Sequence, residues 1–140
     1  MISNLSEYFL SEQEFYLNKI NYNRLEKGDE QVEYDLNYKD SIEVKLKDDG
    51  VELVVERLLK FNPEEIFELS VSFGAVLKFD LSKQGEYQWE EVDLAEEFRE
   101  NGGFVMVNLM NRISLVVAEI TASFGQQPII LPPIPASKNK

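Results

Sequence analysis

The sequence predicts an α+β fold: a four-stranded antiparallel sheet, then a short acidic helix and one long apolar C-terminal helix. Three observations predict it. From Phe15 to Asp80 apolar and polar residues alternate with period two. After Lys83 the apolar spacing changes to three and four. The chain has 140 residues, 44% of them hydrophobic and 11% aromatic, which is the length of one ordinary domain with a sizeable core. Residues 1–140 are read as a single domain that includes an N-terminal segment (1–10) and a Pro-rich C-terminal segment (126–140). There is no internal repeat and no interdomain linker.

The strands come in order. Phe15, Leu17, Ile20 and Tyr22 alternate, with a phase slip near Lys19 that points to a bulge. Val32, Tyr34, Leu36 and Tyr38 follow, then Ile42, Val44 and Leu46. Asp49-Gly50 is a hairpin signal that joins them to Val51, Leu53, Val55, Leu59 and Phe61. Asn62-Pro63-Glu64-Glu65 makes a turn into Phe67, Leu69, Val71, Phe73, Ala75, Leu77 and Phe79. Gly74 sits within this last run, where a glycine marks a bulge or bend. The expected topology is a meander.

Trp89, Val92, Leu94 and Phe98 lie at helical spacing among acidic residues, and Asn101-Gly102-Gly103 ends that short helix. Met106, Leu109, Ile113, Val116, Val117, Ile120 and Phe124 then recur every three or four residues. Gly125 stands where a C-terminal cap belongs. The polar stripe is narrow (Asn108, Arg112, Glu119, Ser123), so the helix is expected to be buried on more than one side, its apolar row serving as an oligomer interface. Phe104 to Phe124 is long enough to cross a bilayer, but Arg112 and Glu119 would each cost roughly 2.5–3.5 kcal/mol at a bilayer centre. A soluble helix and no membrane insertion are expected. Pro128, Pro132, Pro133 and Pro135 make the last segment extended, and Ile129, Ile130, Leu131 and Ile134 make it apolar enough to pack on its own domain or a neighbour.

Composition excludes several functions. There are 14 Lys and Arg against 26 Asp and Glu, a formal net charge of −12, so the surface repels nucleic-acid phosphate. Cys and His are both absent, which removes thiol chemistry, the usual serine triad and the commonest metal ligand. The pairs Asp48-Asp49, Glu64-Glu65, Glu90-Glu91 and Glu96-Glu97 read as solvated charge on turns and helix starts. No catalytic residue, no metal site and no cofactor is expected. The N-terminal MISNLSEYFLSEQEF lacks the basic start of a secretory signal, and a cytoplasmic protein is expected.

What remains is apolar surface. Tyr8, Phe9, Trp89 and the run Ile129 to Ile134 lie at element edges, and such a surplus on an acidic body suits a protein that holds extended apolar polypeptide.

The order of elements resembles the SecB-like chaperones over about residues 15 to 135. The pieces are FYLNKINYN (Phe15 to Asn23), VELVVERLLKF (Val51 to Phe61), IFELSVSFGAVLKF (Ile66 to Phe79) and ISLVVAEITASFGQQPIILPPI (Ile113 to Ile134). The resemblance implies a homotetramer, a dimer of dimers, that holds unfolded clients in apolar grooves without ATP. Candidate client contacts are Tyr8, Phe9, Phe15, Leu17, Tyr34, Leu36, Trp89, Ile129, Ile130, Leu131 and Ile134. Family members devoted to protein export pass clients to SecA by way of acidic residues on the first strand. Here Lys19 and Asn23 stand in that stretch, VNLMNR replaces the family's "FPYxR" helix opening, and the "PVNF" entry is missing. These departures count against SecA as a partner. A second reading is a chaperone of the same fold dedicated to one partner, such as a toxin–antitoxin pair.

Overall fold

A computed structural model gives the fold and describes residues 1–28, 32–125 and 127–135. A single 3-10 turn at Leu5–Tyr8 leads into β1 (Phe9–Arg24), and then come β2 (Asp35–Lys47), β3 (Gly50–Asn62) and β4 (Phe67–Phe79). Two short 3-10 turns precede α1 (Leu94–Asn101) and α2 (Gly103–Ala122). All neighbouring strands are antiparallel, in the order β1-β4-β3-β2. The period-two runs therefore are strands, but the meander is corrected: β1 pairs with β4, and a long connection carries the chain across to the far edge at β2. Alternation fixes which face a strand shows, while partner choice depends on loop length and closure, which alternation does not encode.

Three local features follow from side-chain size. The β2–β3 hairpin turns on Asp48-Asp49, one residue before the expected pair, with Lys47 opposite Gly50. Gly50 is needed there because a Cβ would come within 1.8 Å of the Leu77 carbonyl oxygen. Gly74 marks no bulge, since it pairs in register with Tyr16 and Val54. Its missing Cβ makes room for the Tyr16 ring, which such a Cβ would meet at 2.1 Å. The bulge lies in β1 instead: Leu17 faces Phe73 and Lys19 faces Ser72, leaving Asn18 as the extra residue. Asn18 Nδ2 donates to Ser72 Oγ at 3.0 Å, so the extra side chain is satisfied.

One face of the sheet carries the core. Val51, Leu53, Val55 and Leu59 on β3, with Leu69, Val71, Ala75 and Leu77 on β4, are fully buried. α2 lies over them, and α1 is capped by Asp93, whose side chain accepts from the Glu96 backbone N–H at 3.3 Å. α2 has the length and composition of a membrane span, yet Leu109, Met110, Ile113 and Val117 are wholly buried against the sheet. Gly125, just past the helix, has a φ of +82°, the left-handed conformation that glycine supplies at helix ends.

Two expectations about buried residues are corrected here. Met106, Leu109, Ile113 and Val117 belong to the chain's own core, with Val116 and Ile120 partly buried beside it, because the sheet is broad enough to cover this row. The outward row of α2 is Val107, Asn111, Leu115, Ala118 and Ala122, spaced at helical intervals. Nor are all paired carboxylates solvated. Glu97 is buried and accepts from the Ile2 backbone N–H at 2.8 Å, which ties the N-terminal segment to α1.

Candidate functional site

At one end of the sheet, where α2 stops, aromatic side chains from separate elements converge. Tyr22 of β1 lies 5.4 Å from Phe124 and 5.8 Å from Phe67 (ring centroids), and Phe67 lies 5.1 Å from Phe61 and 5.4 Å from Phe124. With Ile66, Thr121 and Ile129 they line a groove of about 380 Å³. The sequence places these rings together because Tyr22, Phe61 and Phe67 all fall on the core-facing positions of their strands. α2 is too short to cover that end.

The groove opens onto an uncovered stripe. On β1, Leu17 is 51% exposed, Ile20 43% and Tyr22 41%. These residues oppose Phe73, Val71 and Leu69, so they belong to the core face, but they extend beyond the shadow of α2. Among the described residues β1 is also an edge strand, with no partner strand on its outer side. Phe15, further along the same row, lies under the Arg112 guanidinium at 4.6 Å.

The Pro-rich segment crosses the other half of this face. Ile129 and Leu131 pack partly buried against the core, while Ile130 and Ile134 point outward. The Ile129 N–H donates to Thr121 Oγ1 at 2.8 Å. Arg57, fully buried in the middle of the β3 core row, donates from Nη1 to the Pro132 carbonyl at 2.9 Å and from Nη2 to the Ile134 carbonyl at 3.0 Å. Its Nε and Nη2 also bind both oxygens of Asp40 on β2. The Tyr38 ring lies 4.7 Å from the guanidinium carbon.

Away from this face, Tyr16 donates its phenolic O–H to Glu52 at 2.5 Å. Burial first, and then this hydrogen bond, push the Tyr16 phenol up to about 12. The same bond, with Lys47 beside it, holds Glu52 below the usual carboxylate range. Among the described residues, no three carboxylates gather where a cation could sit.

The structure separates the sequence candidates into three groups. Leu17 is exposed on the stripe, and Ile130 and Ile134 are exposed on the tail. Phe15, Tyr34, Leu36, Ile129 and Leu131 are half-buried. Tyr34 sits close to the groove, 6.3 Å from Phe61, with its hydroxyl donating to Glu65 at 3.3 Å. Tyr8, Phe9 and Trp89 are corrected, because all three are buried in one aromatic cluster. Trp89 lies 5.0 Å from Phe79, Phe9 lies 5.1 Å from Phe79, and the Trp89 indole N–H donates to the Gln84 carbonyl at 2.8 Å. Their positions at element edges suggested a surface, but the 3-10 turns fold those edges inward. Missed were Ile20, Tyr22, Phe61, Phe67 and above all Arg57, a charge at a core-facing position, whose place in the alternation was its signal.

No family model matches the chain, and no curated protein matches it. Among solved structures it is similar to the SecB-like chaperone Rv1957 of Mycobacterium tuberculosis, described in complex with a ChAD peptide from the HigA1 antitoxin Rv1956. The TM-score is 0.65 at 15% identity, over 93% of this chain and 90% of that one. The four-stranded antiparallel sheet with its two helices is thus a SecB-like fold.

Proposed function

We propose that this chain is an ATP-independent chaperone that holds extended apolar polypeptide on the uncovered core face, with no catalytic chemistry of its own. The observation that carries the reading is the row Leu17, Ile20 and Tyr22, exposed on an edge strand and running into an aromatic groove. An apolar row at a sheet edge is a hazard in a monomer unless something binds it. Burying apolar area yields about 25 cal/mol per Å², so a few hundred Å² supplies several kcal/mol before ordering costs, enough for sequence-tolerant holding. The working form in this reading is a cytoplasmic homotetramer whose subunits meet through the outward row of α2, with Val107 and Leu115 at its centre. Lys19 and Asn23 on β1 count against hand-off to SecA in this reading.

The test is suppression of aggregation of a chemically unfolded substrate without nucleotide. Wild type suppresses it; L17S/I20S/Y22S, with an unchanged circular dichroism spectrum, needs several-fold more protein. A wild type that suppresses nothing overturns the reading.

A second reading, dedication to one partner, draws support from the antitoxin peptide in the Rv1957 complex. A pull-down from the native cell separates the two. One small partner in stoichiometric amount favours dedication, and a broad set of unfolded precursors favours general holding.

A further inference from the structure

The buried guanidinium of Arg57 has two kinds of acceptor. Asp40 takes Nε and one Nη2 hydrogen, and the backbone carbonyls of Pro132 and Ile134 take the other Nη2 hydrogen and one from Nη1. The first set is permanent strand structure. The second is offered by a segment held lightly: two half-buried side chains, one N–H to Thr121, and alternate residues Ile130 and Ile134 pointing away at 77% and 61% exposure. Nothing in the carbonyl contacts reads a side chain, and the two central prolines have no N–H to leave unsatisfied. The segment also enters through the aromatic groove, since Ile129 is part of its wall.

We propose that the track over Arg57 is an exchange site, in which an extended apolar client segment displaces residues 129–134 and presents its own backbone carbonyls to the guanidinium. This rests on the polypeptide-holding reading above and extends it. The tail shows what the site accepts: a short apolar run that turns the side chains of Ile129 and Leu131 inward and then points two backbone carbonyls at the guanidinium. Simple opening is unfavourable, because a buried guanidinium stripped of two acceptors is costly, whereas replacement by another polypeptide keeps both bonds. The tail thus acts as a resident ligand that keeps the track filled until a client already in the groove extends along it.

A fluorescently labelled synthetic peptide of residues 127–135, titrated into the full chain by anisotropy, tests this. In full-length I129S/L131S, where the resident segment has lost its inward side chains, the peptide should bind at least tenfold tighter than in wild type. The same variant should suppress aggregation at several-fold lower concentration. In D40L/R57M, which replaces the buried pair by apolar side chains, peptide binding should fall at least tenfold. If that variant fails to fold, the I129S/L131S comparison alone decides. Equal peptide affinity in wild type and I129S/L131S overturns the exchange and leaves the holding reading standing. A wild type that suppresses no aggregation overturns the holding reading and the client with it, whatever the peptide does. Peptide binding that fades as protein concentration rises, together with a dimer in sedimentation, assigns the track to the tail of a second copy and overturns the client as occupant.

Discussion

Arg57 and Asp40 face each other across adjacent strands inside the core, joined by hydrogen bonds of 2.8 and 2.9 Å, both side chains wholly shielded from solvent. Their neighbours along the two strands are Val55 and Leu59 on one side and Tyr38 and Ile42 on the other, so the pair interrupts two apolar rows at the same register. Such a pair contributes little net stability when intact, and much is lost when one member is removed.

R57M alone is therefore expected to destabilise the fold by about 3–5 kcal/mol, because Asp40 loses its guanidinium. D40L/R57M should lose far less than the two single substitutions combined. Urea unfolding of the four members of the cycle measures the difference, and additivity would refute the coupling.

G74A should cost about 1–3 kcal/mol, since a new Cβ has to push the Tyr16 ring off its seat and away from Glu52. Trimming the ring in Y16V should rescue part of that loss. A full loss in G74A/Y16V would show that the backbone, not the ring, sets the constraint.

Alkaline stability should fall between pH 10 and about 12. The Tyr16 and Tyr8 phenols are pushed up to about 12 from an ordinary 10.0, Tyr8 by burial first and then by the nearby Tyr87 and Glu86. With the folded value raised, the contribution is fully present below the unfolded value. It disappears as pH rises through the folded one, because the unfolded chain gives up its protons first. Denaturant midpoints at pH 9 and pH 11.5 should differ less in Y16F than in wild type.

W89S should cost about 3–5 kcal/mol, as for other large aromatic truncations in a core, and its thermal midpoint should drop sharply. I130S, at an exposed position, should stay within about 0.5 kcal/mol of wild type. The same contrast separates the two rows of α2. V107D/L115D should leave a folded monomer in sedimentation, whereas I113D/V117D should not fold.

Much of the fold could be read from spacing alone. The period-two runs became strands, the bulge at Asn18 showed as a phase slip, and Gly102-Gly103 marked the joint between the helices. Spacing did not reveal which strand β1 would pair with, because Leu17, Ile20 and Tyr22 alternate the same way beside any neighbour. It also misplaced Trp89 and Tyr8. A residue near the end of an element is exposed or buried according to how the connecting turn bends, and two 3-10 turns bring these rings together. The candidate groove was half legible. Ile129 in the groove and Leu17 on the stripe beside it were identified, but the rings of the wall come from three separated parts of the chain (Tyr22, the Phe61–Phe67 turn and Phe124), and only the closed sheet unites them. Arg57 was passed over because its row is otherwise apolar, although a charge in such a row signals a buried partner.

The pairing of β1 with β4 also sets an order of events during synthesis. β1 is made before its neighbour β4, so it waits while β2, β3 and β4 can zip together through short hairpins. Until β4 has been made, the longest strand of the sheet is an orphan bearing Leu10, Leu17, Ile20 and Tyr22. Closing that distant pair costs more chain entropy than closing either of the short hairpins. A nascent copy stalled before β4 would therefore present an extended, apolar strand without its neighbour.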